Sequence, residues 1–376
     1  MKQICVPLWL LMLAMFACNR NTARNVGDQP ADSAAIKYAQ GFTFRKTESY
    51  TEVCVFNPWT NGKVLQRYLL VDKGAAVPDN LPEGELIRTP LERVVCFSAV
   101  QCGVLNELDR IGTVVGVCEP EYFSKFPSIG LGLKTGRVTD LGVAANPNIE
   151  KILSSEPEVI FTSPLKEAGY GQLEKMNLPF VDCVDYMEAT PLARAEWIRF
   201  YALFFNREAF ADSLFRTIVD EYEALKSLAA SVTDRPTVLT ETPYRNTWYL
   251  PGGKSYAAHL LKDAGAAYLW ENDDATGSLA LAFETVLDKA EHADFWLIKC
   301  FREHDPTYSD LLREYELYAS FDAFRHRNIF VCNTEKASYY EELLIHPEYV
   351  LKDLIRIFHP DLIPGYTPKY YVNMKE

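Results

Sequence analysis

Twelve side chains lie in or shortly after short apolar runs of the kind that form buried strands: Tyr122, Phe123, Arg137, Tyr170 and Tyr186 in the first half of the chain, and Tyr244, Arg245, Trp248, Tyr249, Arg302, Tyr339 and Tyr340 in the second. Flat aromatic faces and guanidinium forks act by stacking and by paired hydrogen bonds. Theirs is the chemistry of non-covalent recognition. The machinery of bond cleavage has no counterpart. There is no Gly-x-Ser-x-Gly elbow and no His-Glu-x-x-His pair. Pro251-Gly-Gly-Lys-Ser255 ends like a phosphate-binding loop, but Trp248 stands where that loop needs glycine. Glu341 and Glu342 are adjacent, so on a helix they point apart. The six histidines (259, 292, 304, 326, 346 and 359) all fall late in the chain. None is left in the first half to clamp a bare metal ion from two sides.

The ends and the composition narrow the setting. Lys2 precedes an apolar run from Ile4 to Phe16, too short to remain across a bilayer. The run closes in Met15-Phe16-Ala17-Cys18, which resembles a bacterial lipobox with Met15 in place of the usual Leu, Val or Ile. Residues 1–17 are therefore expected to be a lipoprotein signal peptide, with Cys18 lipidated. More than one acyl chain is needed for firm tethering. Residues 18–37, rich in Asn, Thr, Asp and Pro, read as a flexible tether. From Cys18 onward 359 residues remain, with 37 basic against 51 acidic ones once Lys2 is gone, a charge of about −14. That length suits two domains, and that charge argues against nucleic acid. Seven cysteines remain (54, 96, 102, 118, 183, 300 and 332), with no Cys-x-x-Cys among them, and read as core thiols with room for one disulfide.

The elements that would position these side chains follow from periodicity. Residues 38–90 are β-rich: Tyr50–Phe56 and Val64–Val71 flank the turn cluster Asn57–Gly62, a hairpin pattern. From Arg93 strands alternate with helices. Val94–Phe97, Thr113–Val117, Glu158–Phe161 and Phe180–Val184 are strands, with Ser98 as helix cap and helices at Ile149–Ser155 and Leu173–Met176. Between Pro191 and Ala230 the pattern is helical throughout, with Trp197, Phe200, Tyr201, Phe204 and Phe205 on one face and Phe210, Leu214, Ile218 and Tyr222 on another. The α/β rhythm then resumes with strands at Thr237–Thr240, Phe295–Ile298 and Ile329–Val331, a helix at 255–264 and a last one at 341–358. The expected fold is α/β: two Rossmann-like lobes (91–188 and 233–376) joined by a long rigid helix (189–232), with an N-terminal β-hairpin extension (38–90).

Several segments together resemble the helical-backbone periplasmic binding proteins for ferric siderophores, haem and vitamin B12. They are Arg93–Ser98 running into Leu105–Leu108, Ile111–Val117, Asn148-Ile-Glu-Lys-Ile-Leu153 with Glu156–Ile160, Gly252–Tyr256 through Gly265, and Phe283–Leu287. The resemblance covers roughly residues 91–360 and leaves the extension unexplained. It implies a monomeric solute-binding protein, lipid-anchored on the periplasmic side of a bacterial membrane, that works without a cofactor. A bulky ligand would sit between the lobes and pass to an ABC permease/ATPase complex. An iron chelate, siderophore or haem, is the expected ligand, with a corrinoid as alternative. The twelve aromatic and arginine residues would line the crevice, and His304 or a tyrosine would ligate haem. Glu150 and Glu284, each in the first turn of an apolar helix before a strand, would dock on the permease. An anchored enzyme is the reading from a different class, and the motifs above argue against it.

Overall fold

A computed structural model describes residues 36–166 and 169–376. The lipobox and Cys18 lie outside the described residues, as does nearly all of the tether. The chain opens with strands β1 (Phe42–Lys46), β2 (Thr51–Phe56), β3 (Val64–Asp72) and β4 (Glu85–Thr89). The hairpin read from the sequence is β2–β3, paired Thr51 to Leu70 through Phe56 to Val64. It is part of a larger unit, because β1 adds antiparallel to β2 and β4 adds parallel to β3.

The first lobe holds β5 (Val94–Cys96), β6 (Val114–Val117), β7 (Thr139–Asp140), β8 (Val159–Thr162) and β9 (Phe180–Asp182). They form one parallel sheet in the order β7-β6-β5-β8-β9, with helices α1 (Ala99–Glu107), α2 (Pro127–Thr135) and α3 (Ile149–Ser154) around it. Alternation along β5 explains why it is buried on both sides. Val94 and Cys96 face the main core, while Val95 faces a smaller cluster with Val115, Leu141, Ile152 and Ile160. Ser98 caps α1, and Gln101 returns the bond in a capping box. The stretch at 171–175 is one 3-10 turn rather than the α-helix its pattern suggested.

The connector differs from an unbroken helix. It comprises α4 (Pro191–Ala195), α5 (Trp197–Leu203) and α6 (Glu208–Ala229), interrupted at Glu196 and again before Glu208, where Asn206 takes a left-handed φ of 53°. Every residue of α5 except Arg199 is buried, because the extension covers one side of it and the first lobe the other. Phe42 and Tyr68 of the extension pack on Trp197, Phe200 and Phe204 at centroid distances of 4.9–6.5 Å. Two glutamates complete the seam. Glu196, fully buried, accepts backbone N–H bonds from Lys37, Tyr38 and Ala39, and Glu188 accepts them from Gln40 and Gly41.

Only α6 is long. Its 22 residues span about 33 Å, and Ala211, Phe215, Ile218, Tyr222 and Ala229 form its buried face. Phe210, expected on that face, is exposed under the Arg207 guanidinium. The start of α6 is tied to the first lobe and its second half to the second. Arg207 Nε donates to Leu108 O at 3.1 Å, and Tyr222 Oη donates to Asp263 Oδ2 at 2.8 Å.

The second lobe contains β10 (Thr237–Thr240), β11 (Trp248–Pro251), α7 (Tyr256–Asp263), β12 (Ala267–Tyr268), β13 (Ser278–Leu281), α8 (Phe283–Ala290) and β14 (Phe295–Cys300). After these come α9 (Tyr308–Glu314), α10 (Asp322–Arg325), β15 (Ile329–Asn333), α11 (Tyr339–Leu343), α12 (Pro347–Phe358) and β16 (Val372–Asn373). Its sheet runs β12-β10-β14-β15-β16, parallel except for β16, and β11 and β13 form a separate two-stranded antiparallel sheet. The final helix of the sequence reading is two helices, broken before Pro347.

That break carries His346, which bridges the lobes. Its Nε2 lies 3.2 Å from Glu107 at the end of α1, and its Nδ1 lies 2.6 Å from Glu348, while the ring stacks on Tyr349. Burial lowers its pKa, but hydrogen bonds to the two carboxylates outweigh that and hold it at about 9. The folded state thus keeps a proton that the unfolded chain, near 6.5, releases. The bridge should contribute about 3 kcal/mol that is fully present below pH 6.5 and lost as pH rises through 9. Chemical denaturation of His346→Gln between pH 6 and 10 checks this: the gap to the parent should close with rising pH.

Candidate functional site

The carboxyl ends of both parallel sheets face one crevice of about 510 Å3, the position where open α/β sheets bind ligands. Phe97 to Val100 follow β5 and Cys118 to Lys125 follow β6. Glu241 follows β10, Lys299 to Phe301 end β14 and run beyond it, Thr334 follows β15, and Tyr340 and Glu341 open α11. In the second lobe the crevice lies at β10/β14, where the strand order reverses.

Apolar walls come from Phe97, Phe123, Val100 and the pair Tyr122–Phe301. Those two rings, from opposite lobes and each about half exposed, meet edge to face at 5.6 Å across the opening. Both lysines of the crevice are paired across or along the floor. Lys125 of the first lobe reaches Glu341 Oε1 of the second at 3.0 Å and also donates to Thr334 O. Lys299, inside an otherwise apolar strand, is held by Glu241. Burial would lower the Lys299 pKa, yet Glu241 outweighs it and the ammonium stays charged. Cys118 also lines the crevice, and burial and Glu119 push its thiol up to about 12.

Two backbone positions are forced. Glu119 and Glu241, each the second or first residue beyond a strand of its lobe, have φ of 53° and 62°. Non-glycine residues rarely take that conformation and concentrate at binding sites when they do. Hydrogen bonds hold both: Glu119 N–H donates to Gly142 O at 2.8 Å, and Glu241 O accepts from the Trp296 indole at 2.7 Å.

Of the twelve residues singled out from sequence, Tyr122, Phe123 and Tyr340 line this crevice. Trp248 is 0% exposed, donates its indole N–H to Thr240 O, and packs on Phe283 and Trp296. Tyr339 is buried beside Tyr370 and Tyr371. Arg137 clamps the carbonyls of Gly112, Val114 and Ser128. Tyr170 stacks on Phe180 and bonds Asp182, and Tyr186 bonds Pro164 O. Tyr244, Arg245 and Tyr249 are exposed outside the crevice, and Arg302 pairs with Glu314 at 2.7 Å. His304 is fully outside as well, with an exposed side chain. The seven cysteines form no disulfide among the described residues. Glu150 and Glu284 are exposed in the first turns of α3 and α8, and neither forms an ion pair among the described residues.

Lys299 was legible and missed: a lysine in Phe295-Trp-Leu-Ile-Lys-Cys300 cannot be buried alone, so it had to be paired at a site. Glu241, Lys125 and Glu341 carry no such signal, because only the meeting of two lobes brings them together.

The sequence profile of the periplasmic binding protein family matches residues 94–335, well over half of the chain. An uncharacterized lipoprotein of Methanocaldococcus jannaschii is 26% identical over 333 residues, covering 82% of this chain and 76% of its own. The structure of an ABC-type Fe3+-hydroxamate transport system from Saccharomonospora viridis aligns with a TM-score of 0.56 at 18% identity, covering 72% of this chain and 94% of that one. A periplasmic haem-binding protein from Pseudomonas aeruginosa gives a TM-score of 0.56 at 16% identity, with 76% and 99% covered. These structural likenesses establish the fold.

The spacing of the lobes rests on Gly103. A Cβ there would come within 1.9 Å of Glu341 O, so α1 and α11 touch backbone to backbone. Gly103→Ala should destabilise the protein by about 1–3 kcal/mol through this overpacking and widen the crevice. Denaturant unfolding and small-angle scattering read the two effects.

Proposed function

Since the chain belongs to the periplasmic binding protein family, we propose that it is a lipid-anchored solute-binding protein of an ABC importer that captures an iron chelate, siderophore or haem, and delivers it to the permease. The family is one of binding proteins, not enzymes. The observation that carries the reading is the crevice of about 510 Å3 between the carboxyl edges of two parallel sheets. It is large enough for a macrocycle or a wrapped chelate and offers aromatic contact area from both lobes. A corrinoid is the alternative ligand, favoured by the lack of arginine among the lining residues, since haem carboxylates would want such partners.

The anchor is supported by the lipobox-like Met15–Cys18 and by the name of the archaeal relative, a lipoprotein. Docking through Glu150 and Glu284 is supported by their matching positions on one helix per lobe and by their exposed carboxylates, which form no ion pair among the described residues. Two separated charges of this kind set orientation and encounter rate more than affinity.

Calorimetric titration of the purified protein with a ferric trihydroxamate, haemin and cobalamin should give micromolar binding or better for at least one. A protein that binds none overturns the reading. In cells, Cys18→Ala should move the protein from the membrane to the soluble fraction. Glu150→Arg with Glu284→Arg should abolish uptake while ligand affinity changes by less than about threefold. Loss of binding in that double variant would place the two glutamates in the ligand site instead.

A further inference from the structure

The crevice has more negative charge than it can neutralise. Glu119, Glu121, Glu241 and Glu341 face Lys125 and Lys299, a surplus of two carboxylates, with no arginine or histidine among the lining residues. Both lysines are engaged already, Lys125 by Glu341 and Lys299 by Glu241. Turning either ammonium toward an anionic ligand would strip a part-buried carboxylate of its partner. The nearest arginine in sequence, Arg302 beside Phe301, pairs with Glu314. Glu119 and Glu121, at the mouth beside Tyr122, form no ion pair among the described residues.

A second observation points the same way. Glu341 is 6% exposed and lines the crevice; Lys125 satisfies its Oε1, while its Oε2 is buried with no hydrogen-bond partner among the described residues. A carboxylate oxygen accepts, so this one, on a residue that lines the crevice, lacks an N–H or O–H donor. The chain as a whole, at −13, adds a repulsive field for incoming anions.

We propose that the crevice selects its ligand by charge: it admits a neutral or cationic chelate or corrinoid that donates a hydrogen bond to Glu341 Oε2, and Glu119 and Glu121 turn anionic ligands away. This rests on the chelate-binding reading above and narrows it, against haem and catecholate chelates and toward hydroxamates or amide-bearing corrinoids.

The test holds the ligand scaffold constant and changes only its charge. The full-length protein in detergent is titrated with one ferric trihydroxamate carrying a pendant ammonium, its acetylated neutral form and its succinylated carboxylate form. Cobalamin and its monocarboxylate derivative are run in parallel, and the comparison is read on whichever scaffold binds. The carboxylate form should bind about tenfold more weakly than the uncharged one at low salt, with the gap shrinking at high salt. In Glu119→Gln/Glu121→Gln, a near-isosteric change at one half-buried and one exposed side chain, the gap should fall below about threefold. Glu341→Gln, nearly isosteric, should weaken the neutral and cationic forms about tenfold and spare the ratio set by the mouth. Equal affinities across a charge series, or a preference for the anionic member or for haemin, overturn the charge selection and leave chelate binding standing. Binding of neither scaffold nor haemin overturns chelate binding itself, and the charge selection with it.

Discussion

Backbone contact between α1 and α11, where Gly103 lies against the carbonyl of Glu341, sets the distance between the two sheets. Such a contact has no soft side chain to yield, so it acts as a stop. Around it the lobes are clamped by charge: Lys125 to Glu341 on the crevice side and His346 between Glu107 and Glu348 behind. Glu341 therefore serves three purposes. Its carbonyl spaces the lobes, one carboxylate oxygen fastens them, and the other is buried without a hydrogen-bond partner among the described residues.

The long helix α6 complements that stop rather than replacing it. It is bonded to the first lobe at Arg207 and to the second at Tyr222, and one apolar stripe packs it along its length. A single helix crossing has no flexible strand pair about which the lobes could swing widely. The extension adds to the stiffness. Buried glutamates at 188 and 196, each filled with backbone N–H donors, tie residues 37–41 to the first turns of the connector, so β1–β4 and the first lobe share one core.

At the crevice, strain and charge coincide. Both lobes place a glutamate in left-handed backbone just beyond a strand, and a hydrogen bond holds each one there, Glu119 N–H to the Gly142 carbonyl and the Trp296 indole of β14 to Glu241 O. Burial makes every unmatched charge costly, which is why both crevice lysines are paired with carboxylates and why charge is a basis for discrimination. Apolar contact area is sequence-tolerant by comparison. It explains capacity for a large ligand but not choice among ligands.

The order of strands and helices was legible because buried strands and one-faced helices leave periodic traces that no partner is needed to produce. β5, β6, β8, β10, β14 and β15 fall within a residue or two of the positions their apolar runs imply, and Ser98 and Ser255 cap the helices they precede. Local chemistry also marked Glu150 and Glu284 as first-turn acids. Tertiary structure alone decided which aromatics face the crevice. Trp248 and Tyr340 are both aromatic residues near strands, yet the first is buried under Phe283 and Trp296 and the second opens to the cavity. An aromatic ring fills a core and stacks on a ligand with the same surface, so its type does not report its side. The pairs Lys125–Glu341 and Tyr122–Phe301 join residues about 180 to 216 positions apart, and no local pattern encodes a contact that exists only once two lobes have closed on one another.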